Sequence, residues 1–127
     1  MSEPVHIDLV EAYISAYNDF DIAAMLALLD QDIIFENESN GKITASAQGK
    51  AAFEQLAVKA AAIFETRQQT LTELALEENA ATAHIQYQAR LAVDLPNGLK
   101  AQDTLELEGK TLFRFENNKI TYIKDVS

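Results

Sequence analysis

From Val5 onward, apolar residues recur at Leu9, Ala12, Tyr13, Ala16, Tyr17 and Phe20. Steps of three and four lay a stripe along one helix face, so this stretch predicts a first helix, with Pro4 in the first turn, where its missing N–H costs nothing. Asp21 offers a carboxylate to the free N–H groups of a short second helix over Ile22 to Leu29. A third helix follows Gly49, with Phe53, Leu56, Ala57, Ala60, Ile63 and Phe64 on one face. Between the second and third helices, Ile33 to Glu38 predicts a strand, and Asn40-Gly41 a hairpin, because both residues tolerate positive φ.

After Phe64 the period changes from helical to two. Thr66 to Leu76, Ala81 to Leu95, Leu99 to Glu116 and Ile120 to Val126 are rich in β-formers or alternate in polarity. The separators Glu78-Asn79, Pro96-Asn97-Gly98 and Asn117-Asn118 are turn chemistry, so a four-stranded meander is expected. The third segment is long for a strand, and Glu108-Gly109 is a place for a bulge or bend within it. Three helices ahead of a strongly curved, mainly antiparallel sheet make an α+β domain spanning residues 1–127.

Charge narrows the function. Ten Lys and Arg against twenty Asp and Glu in 127 residues give a formal charge of −10. The cations are scattered, whereas gripping a phosphate backbone or an anionic membrane surface needs them clustered, so neither nucleic acid nor membrane is expected as a partner. There is no Cys, which removes disulfides, thiolate metal ligands and a Cys nucleophile. The N-terminal sequence lacks the cations and apolar run of a secretory signal, and the longest apolar run, Ile22 to Leu29, is far short of a membrane span of ~20 residues. The expected location is the cytoplasm.

Candidate chemistry is sparse. His6 and His84 stand far apart, no metal or phosphate-loop motif occurs, and none of the five serines sits in a nucleophile elbow. Any reaction would rest on carboxylates or phenols, with no cofactor. In the strand after Ala81, His84, Gln86, Gln88 and Arg90 occupy one face and Ile85, Tyr87, Ala89, Leu91 and Val93 the other. The polar row reads as a solvated sheet face, or as a ligand wall or dimer face. Arg67, Gln68 and Gln69 can stand beside it, Arg67 most simply in a surface salt bridge. Tyr13, Tyr17, Phe35, Phe53, Phe64, Phe113 and Phe115 fall on interior faces, where they fill a core or line a cavity. Tyr13, Asn37, Thr111 and Asp125 are the polar groups among them that need partners.

The run from Tyr13 through Asp21-Ile22-Ala23-Ala24 to Glu36 resembles the opening of the NTF2-like superfamily: a Tyr-bearing helix, a capped "D-I-x-A" helix, then an acidic entry to the first strand. Gly49 to Phe53 is similar to its "G-x-x-x-F", and Phe113-Arg114-Phe115 with Ile120 to Asp125-Val126 resembles the closing hairpin of the SnoaL-like branch. The resemblance covers nearly the whole chain. It implies a cone, with three helices filling the hollow of a bent sheet and a pocket at the open end. The chain departs from it at Phe20, where Gly usually precedes the capping Asp, and at Asn117-Asn118, which replaces a Gly turn.

Ketosteroid isomerases in this superfamily use a Tyr, a protonated Asp and a basic Asp. Laid over this chain, the Tyr falls on Tyr13, but the base falls on Asn37 and the second Asp on Thr111. An amide does not accept a proton at neutral pH, so faithful steroid isomerisation is not expected. The SnoaL-like polyketide cyclases use an Asp near the chain end for an intramolecular aldol closure, and Asp125 occupies the similar place. The resemblance therefore implies a pocket for a small apolar or carbonyl-bearing molecule, lined by Tyr17, Phe35, Phe53, Phe64, Thr111, Phe113 and Phe115. A reaction there would be cofactor-free isomerisation or aldol cyclisation, with Asp125 as acid/base and Tyr13 or Asn37 polarising a carbonyl. The alternative is a non-catalytic binding or dimerisation module, and in either case a homodimer formed through the sheet is expected.

Overall fold

The computed structural model describes residues 2–127, with side chains from Val5 on. Helix α1 runs Ser2–Asn18 and α2 Ile22–Ala27, followed by the hairpin β1 (Leu29–Ser39) and β2 (Lys42–Gln48). Helix α3 spans Lys50–Ile63, and the chain closes with β3 (Phe64–Glu77), β4 (Ala80–Leu91), β5 (Thr104–Glu116) and β6 (Lys119–Val126). The six strands form one curved sheet in the order β2-β1-β6-β5-β4-β3. β1 and β6 run parallel, every other pair is antiparallel, and β3 to β6 form the expected meander.

The helices occupy one face of this sheet, giving the α+β cone. The stripe on α1 buries Leu9, Val10, Tyr13, Ile14 and Ala16 against Phe113, Phe115, Ile120 and Ile123 of the closing strands. Asp21 caps α2 as its position implies, its Oδ1 accepting the Ala24 N–H at 3.0 Å. Phe20, in the place of a glycine, takes φ 58°, a left-handed conformation that costs a side-chain-bearing residue roughly 1–2 kcal/mol. Asn40 and Gly41 (φ 53° and 80°) make the first hairpin, and Asn117 and Asn118 (φ 52° and 61°) the last.

The elements differ from the expectation in three places, each for an identifiable structural reason. The apolar run does not stay helical to Leu29: Leu28 caps α2 and Leu29 opens β1, because the Leu28 carbonyl accepts the Ile120 N–H (3.0 Å) and Lys119 Nζ donates to the Ala27 carbonyl (2.7 Å). β4 stops at Leu91 and β5 starts only at Thr104. Between them the carboxylates of Asp94 and Asp103 accept the N–H groups of Ala101 (2.8 Å) and Lys100 (2.9 Å), replacing a ladder with turns. Nor is there a bulge at Glu108-Gly109, since pairing with β4 runs in register from Arg114 to Thr104. The glycine is required instead by crowding: a Cβ on Gly109 would stand 2.6 Å from the Val126 carbonyl oxygen.

Candidate functional site

Strand register assembles a row of side chains across the inner face of the sheet. Asn37 of β1 lies beside Asp125 of β6, Asp125 beside Thr111 of β5, and Thr111 beside Ala83 of β4, while Ala45 of β2 flanks Asn37. Directly paired positions bring Cβ atoms within about 5 Å, so the row is a contact set, with Ala45 opening onto the space above it and Ala83 packed in the core. Thr111, buried, donates its hydroxyl proton to Asp125 Oδ1 at 2.8 Å. The second Asp125 oxygen makes no hydrogen bond among the described residues.

Over this row sits a cavity of about 230 Å³. Tyr13, Tyr17, Asn37, Arg67 and Asp125 supply its polar groups, and Met25, Phe35, Phe53 and helix α3's Leu56, Ala57 and Ala60 its apolar wall. A second hollow of about 220 Å³, bordered by Tyr87, Gly109 and Thr111, shares Tyr17, Asn37 and Asp125 with the first. The three residues singled out for chemistry, Asp125, Tyr13 and Asn37, thus line one space. Tyr13 comes from α1, where the four-residue step to Tyr17 puts both phenols on the sheet-facing side.

The electrostatics follow from enclosure. Burial pushes the Asp125 carboxyl up from 3.8 to about 6, opposed by the Thr111 hydrogen bond, which favours the charged form. Burial likewise raises Tyr13 well above the usual phenol value, and the Asp125 charge adds to that, so Tyr13 remains an O–H donor. It is Thr111, then, and not the Tyr13 phenol, that hydrogen-bonds the carboxylate. The Asn37 amide is partly committed, Nδ2 donating to Thr44 Oγ1 at 2.8 Å. Tyr17 and Tyr87 share a hydroxyl–hydroxyl bond of 2.9 Å, and burial raises both phenols.

Of the remaining aromatic positions, Tyr17, Phe35 and Phe53 face the cavity, the last two ring edge to ring face at 5.6 Å. Thr111 borders the second hollow. Phe113 and Phe115 do not reach the cavity, because α1 lies over them: Tyr13 packs edge-on against Phe113 (5.7 Å) and His6 stacks on Phe115 (4.1 Å, 12° between planes). Phe64 is turned against Tyr87 at 6.1 Å. The polar β4 row, His84, Gln86, Gln88 and Arg90, is exposed on the outer face of the sheet.

Arg67 departs most from its expected role. Among the described residues it forms no salt bridge, and it is 5% exposed. The guanidinium carbon lies 3.7 Å from the centre of the Tyr17 ring and 4.3 Å from that of Phe20, while Nε donates to the Tyr17 carbonyl at 2.9 Å. That carbonyl lies in the last turn of α1, where the helix dipole favours a cation. Strand parity carried the signal for an inward Arg67, since Arg67, Gln69 and Leu71 alternate on one face. Tyr87, the partner of Tyr17, was visible only as a member of the apolar face of β4.

Comparison with known proteins places the chain. The model of the SnoaL-like domain matches residues 10–123. The chain belongs to the SnoaL-like domain family. Among solved structures, a proposed polyketide cyclase from Xanthomonas campestris pv. campestris superposes with TM-score 0.87 at 21% identity, over 100% of this chain and 93% of that one. A proposed polyketide cyclase from Pseudomonas putida gives TM-score 0.72 at 25% identity, over 92% and 86%. A protein of ketosteroid isomerase-like fold from Catenulispora acidiphila, in complex with trimethylamine, gives 0.77 at 19%, over 92% and 82%. No curated protein sequence matches significantly. In SnoaL-like terms, Asn37 and Thr111, where the isomerase resemblance lacked its two acids, flank Asp125 on neighbouring strands, so the row holds one carboxyl in the strand between them.

Proposed function

We propose that this SnoaL-like protein binds a small, largely apolar, carbonyl-bearing molecule in the cavity beneath α3 and moves a proton within it, using Asp125 as acid/base and no cofactor. One observation carries the reading: a carboxyl raised to about 6 is built into the wall of an apolar hollow, with one oxygen steadied by Thr111 and the other unengaged. Such a group is divided between its two protonation states near neutral pH, where general acid–base catalysis is most effective. Ionised Asp125 takes a proton from the carbon next to the carbonyl. The electron pair left behind delocalises onto the carbonyl oxygen, which the Tyr13 hydroxyl stabilises by donation. Return of the proton to a second carbon gives isomerisation. Attack of the enolate carbon on a second carbonyl of the same molecule, with proton return to the new alkoxide, gives aldol closure. The polyketide cyclase proposed for the Xanthomonas and Pseudomonas structures supports the second outcome.

The test uses β-tetralone in deuterated water, following loss of the proton next to its carbonyl by NMR. The protein should accelerate exchange over buffer, with a rate that rises through pH about 6 as Asp125 ionises and then levels. Asp125→Asn should abolish the acceleration. Thr111→Val removes the bond that favours the charged form and should move the midpoint upward. Exchange no faster than in buffer, or undiminished by Asp125→Asn, would overturn the reading.

A further inference from the structure

Arg67 is a buried cation with no ion-pair partner among the described residues. Among the described residues the one ion pair is Lys124 with Glu38 (3.0 Å), at the sheet surface. A chain with twenty acidic residues therefore places none of the described ones on its most enclosed guanidinium. Glu11 and Asp19 border a cleft that Arg67 also touches, yet neither comes within ion-pair distance. Arg67 Nη2 is enclosed and has no hydrogen-bond partner among the described residues, while Nε donates to the Tyr17 carbonyl and the Tyr17 phenol lies alongside the guanidinium.

The ring faces of Tyr17 and Phe20 and the α1 carbonyl offset part of the cost of desolvating this charge. They fix the plane of the guanidinium without supplying an anion. A guanidinium held in place with donors to spare is suited to a carboxylate, which accepts a charge-assisted bond from it. Arg67 also lines the same cavity as Asp125 and Tyr13.

We infer that Arg67 is an anion anchor, and that the molecule occupying the cavity carries a carboxylate in addition to the carbonyl group presented to Tyr13 and Asp125. This rests on the cavity being a small-molecule site, as proposed above, and adds the class of ligand: a keto acid with an apolar body. Arg67 is a binding residue here, and Tyr17 and Phe20 position it. Phe20 is held at φ 58° in a turn where glycine would be unstrained, and its ring is the second face of the clamp on the guanidinium.

The experiment compares cinnamate with cinnamamide, which match in shape and differ in charge, by calorimetric titration of the full chain at neutral pH. The wild-type protein should bind cinnamate tighter by roughly tenfold or more, the scale of a charge-assisted pair. Arg67→Met, of similar length and uncharged, should remove that preference while leaving cinnamamide within about threefold, and Arg67→Lys should restore part of it. If Arg67→Met does not fold, the Arg67 Nε–H resonance of the wild type decides: cinnamate should shift it and cinnamamide should not. Equal affinities in the wild type, a preference that survives Arg67→Met, or an Nε–H resonance indifferent to cinnamate would overturn the anchor. Binding of cinnamamide without any anion preference would sink the anchor alone, whereas binding of neither compound would remove the cavity reading with it.

Discussion

At the residue scale, burying the Asp125 carboxyl costs stability at neutral pH. Its carboxyl is raised from 3.8 to about 6 because the folded state penalises the charge, so native protein binds a proton more tightly than unfolded chain. Stability from this group is therefore fullest below pH about 4, falls as pH rises through about 6, and stays low beyond. The difference is on the order of 2–3 kcal/mol at neutral pH. Asp125→Asn should accordingly raise the unfolding free energy at neutral pH by about that amount, and the gain should shrink towards nothing below pH about 4, as denaturant titration at several pH values will read. A variant destabilised at neutral pH would mean that Asp125 is stabilised as an anion. That Tyr13, Asn37 and Asp125 each face inward was legible in the sequence from two-residue alternation and helix spacing, whereas their meeting in one space was implied only by the NTF2-like resemblance. Arg67 was not, since a charged residue reads as surface unless its strand parity outweighs its type. Nor was Thr111 legible as the donor to Asp125, which depends on β5–β6 register and on no local pattern.

At the scale of elements, the parts that position the site are those whose local chemistry is unambiguous. Capping by Asp21, the Asn-Gly hairpin and the meander follow from residue type and period, and all are present. The end of α2 differs because distant partners, Ile120 and Lys119, decide it, and the start of β5 because turns closed by the Asp94 and Asp103 carboxylates replace the ladder there. The α1–β3 junction shows the same dependence. The Asn18 side chain mimics a strand, donating to the Gln69 carbonyl (3.0 Å) and accepting the Gln69 N–H (2.7 Å), and so fixes the end of α1 beside Arg67. At Gly109 the approach of β6 excludes a side chain, and the obstacle is a backbone carbonyl that cannot swing aside. Gly109→Ala should therefore lower stability by about 1–3 kcal/mol, the usual cost of overpacking, and displace Val126 next to Asp125. Thermal unfolding gives the first effect and amide chemical shifts the second. An unchanged melting temperature would show that β6 yields freely at this point.

At the scale of the whole molecule, the cone separates an inner sheet face, under the helices, from an outer one. The inner face builds the cavity and the outer carries the β4 row with Glu106, Glu108 and Lys110 of β5 beside it. Arg90 at one end of that row and the glutamates along it are charges that a two-fold axis can match, and we propose that a homodimer forms through this face. Sedimentation at high micromolar concentration should give twice the chain mass of 14.0 kDa, and a 14.0 kDa species would exclude the dimer. No helix among the described residues is long and apolar enough to cross a membrane. The proposed chemistry turns on one carboxyl. In an NMR titration of the intact protein, the Asp125 side-chain carbon should titrate with a midpoint of about 6, and higher still in Thr111→Val. A midpoint near 3.8, unmoved by Thr111→Val, would show a solvated aspartate and contradict the acid/base role on which the proposed function stands.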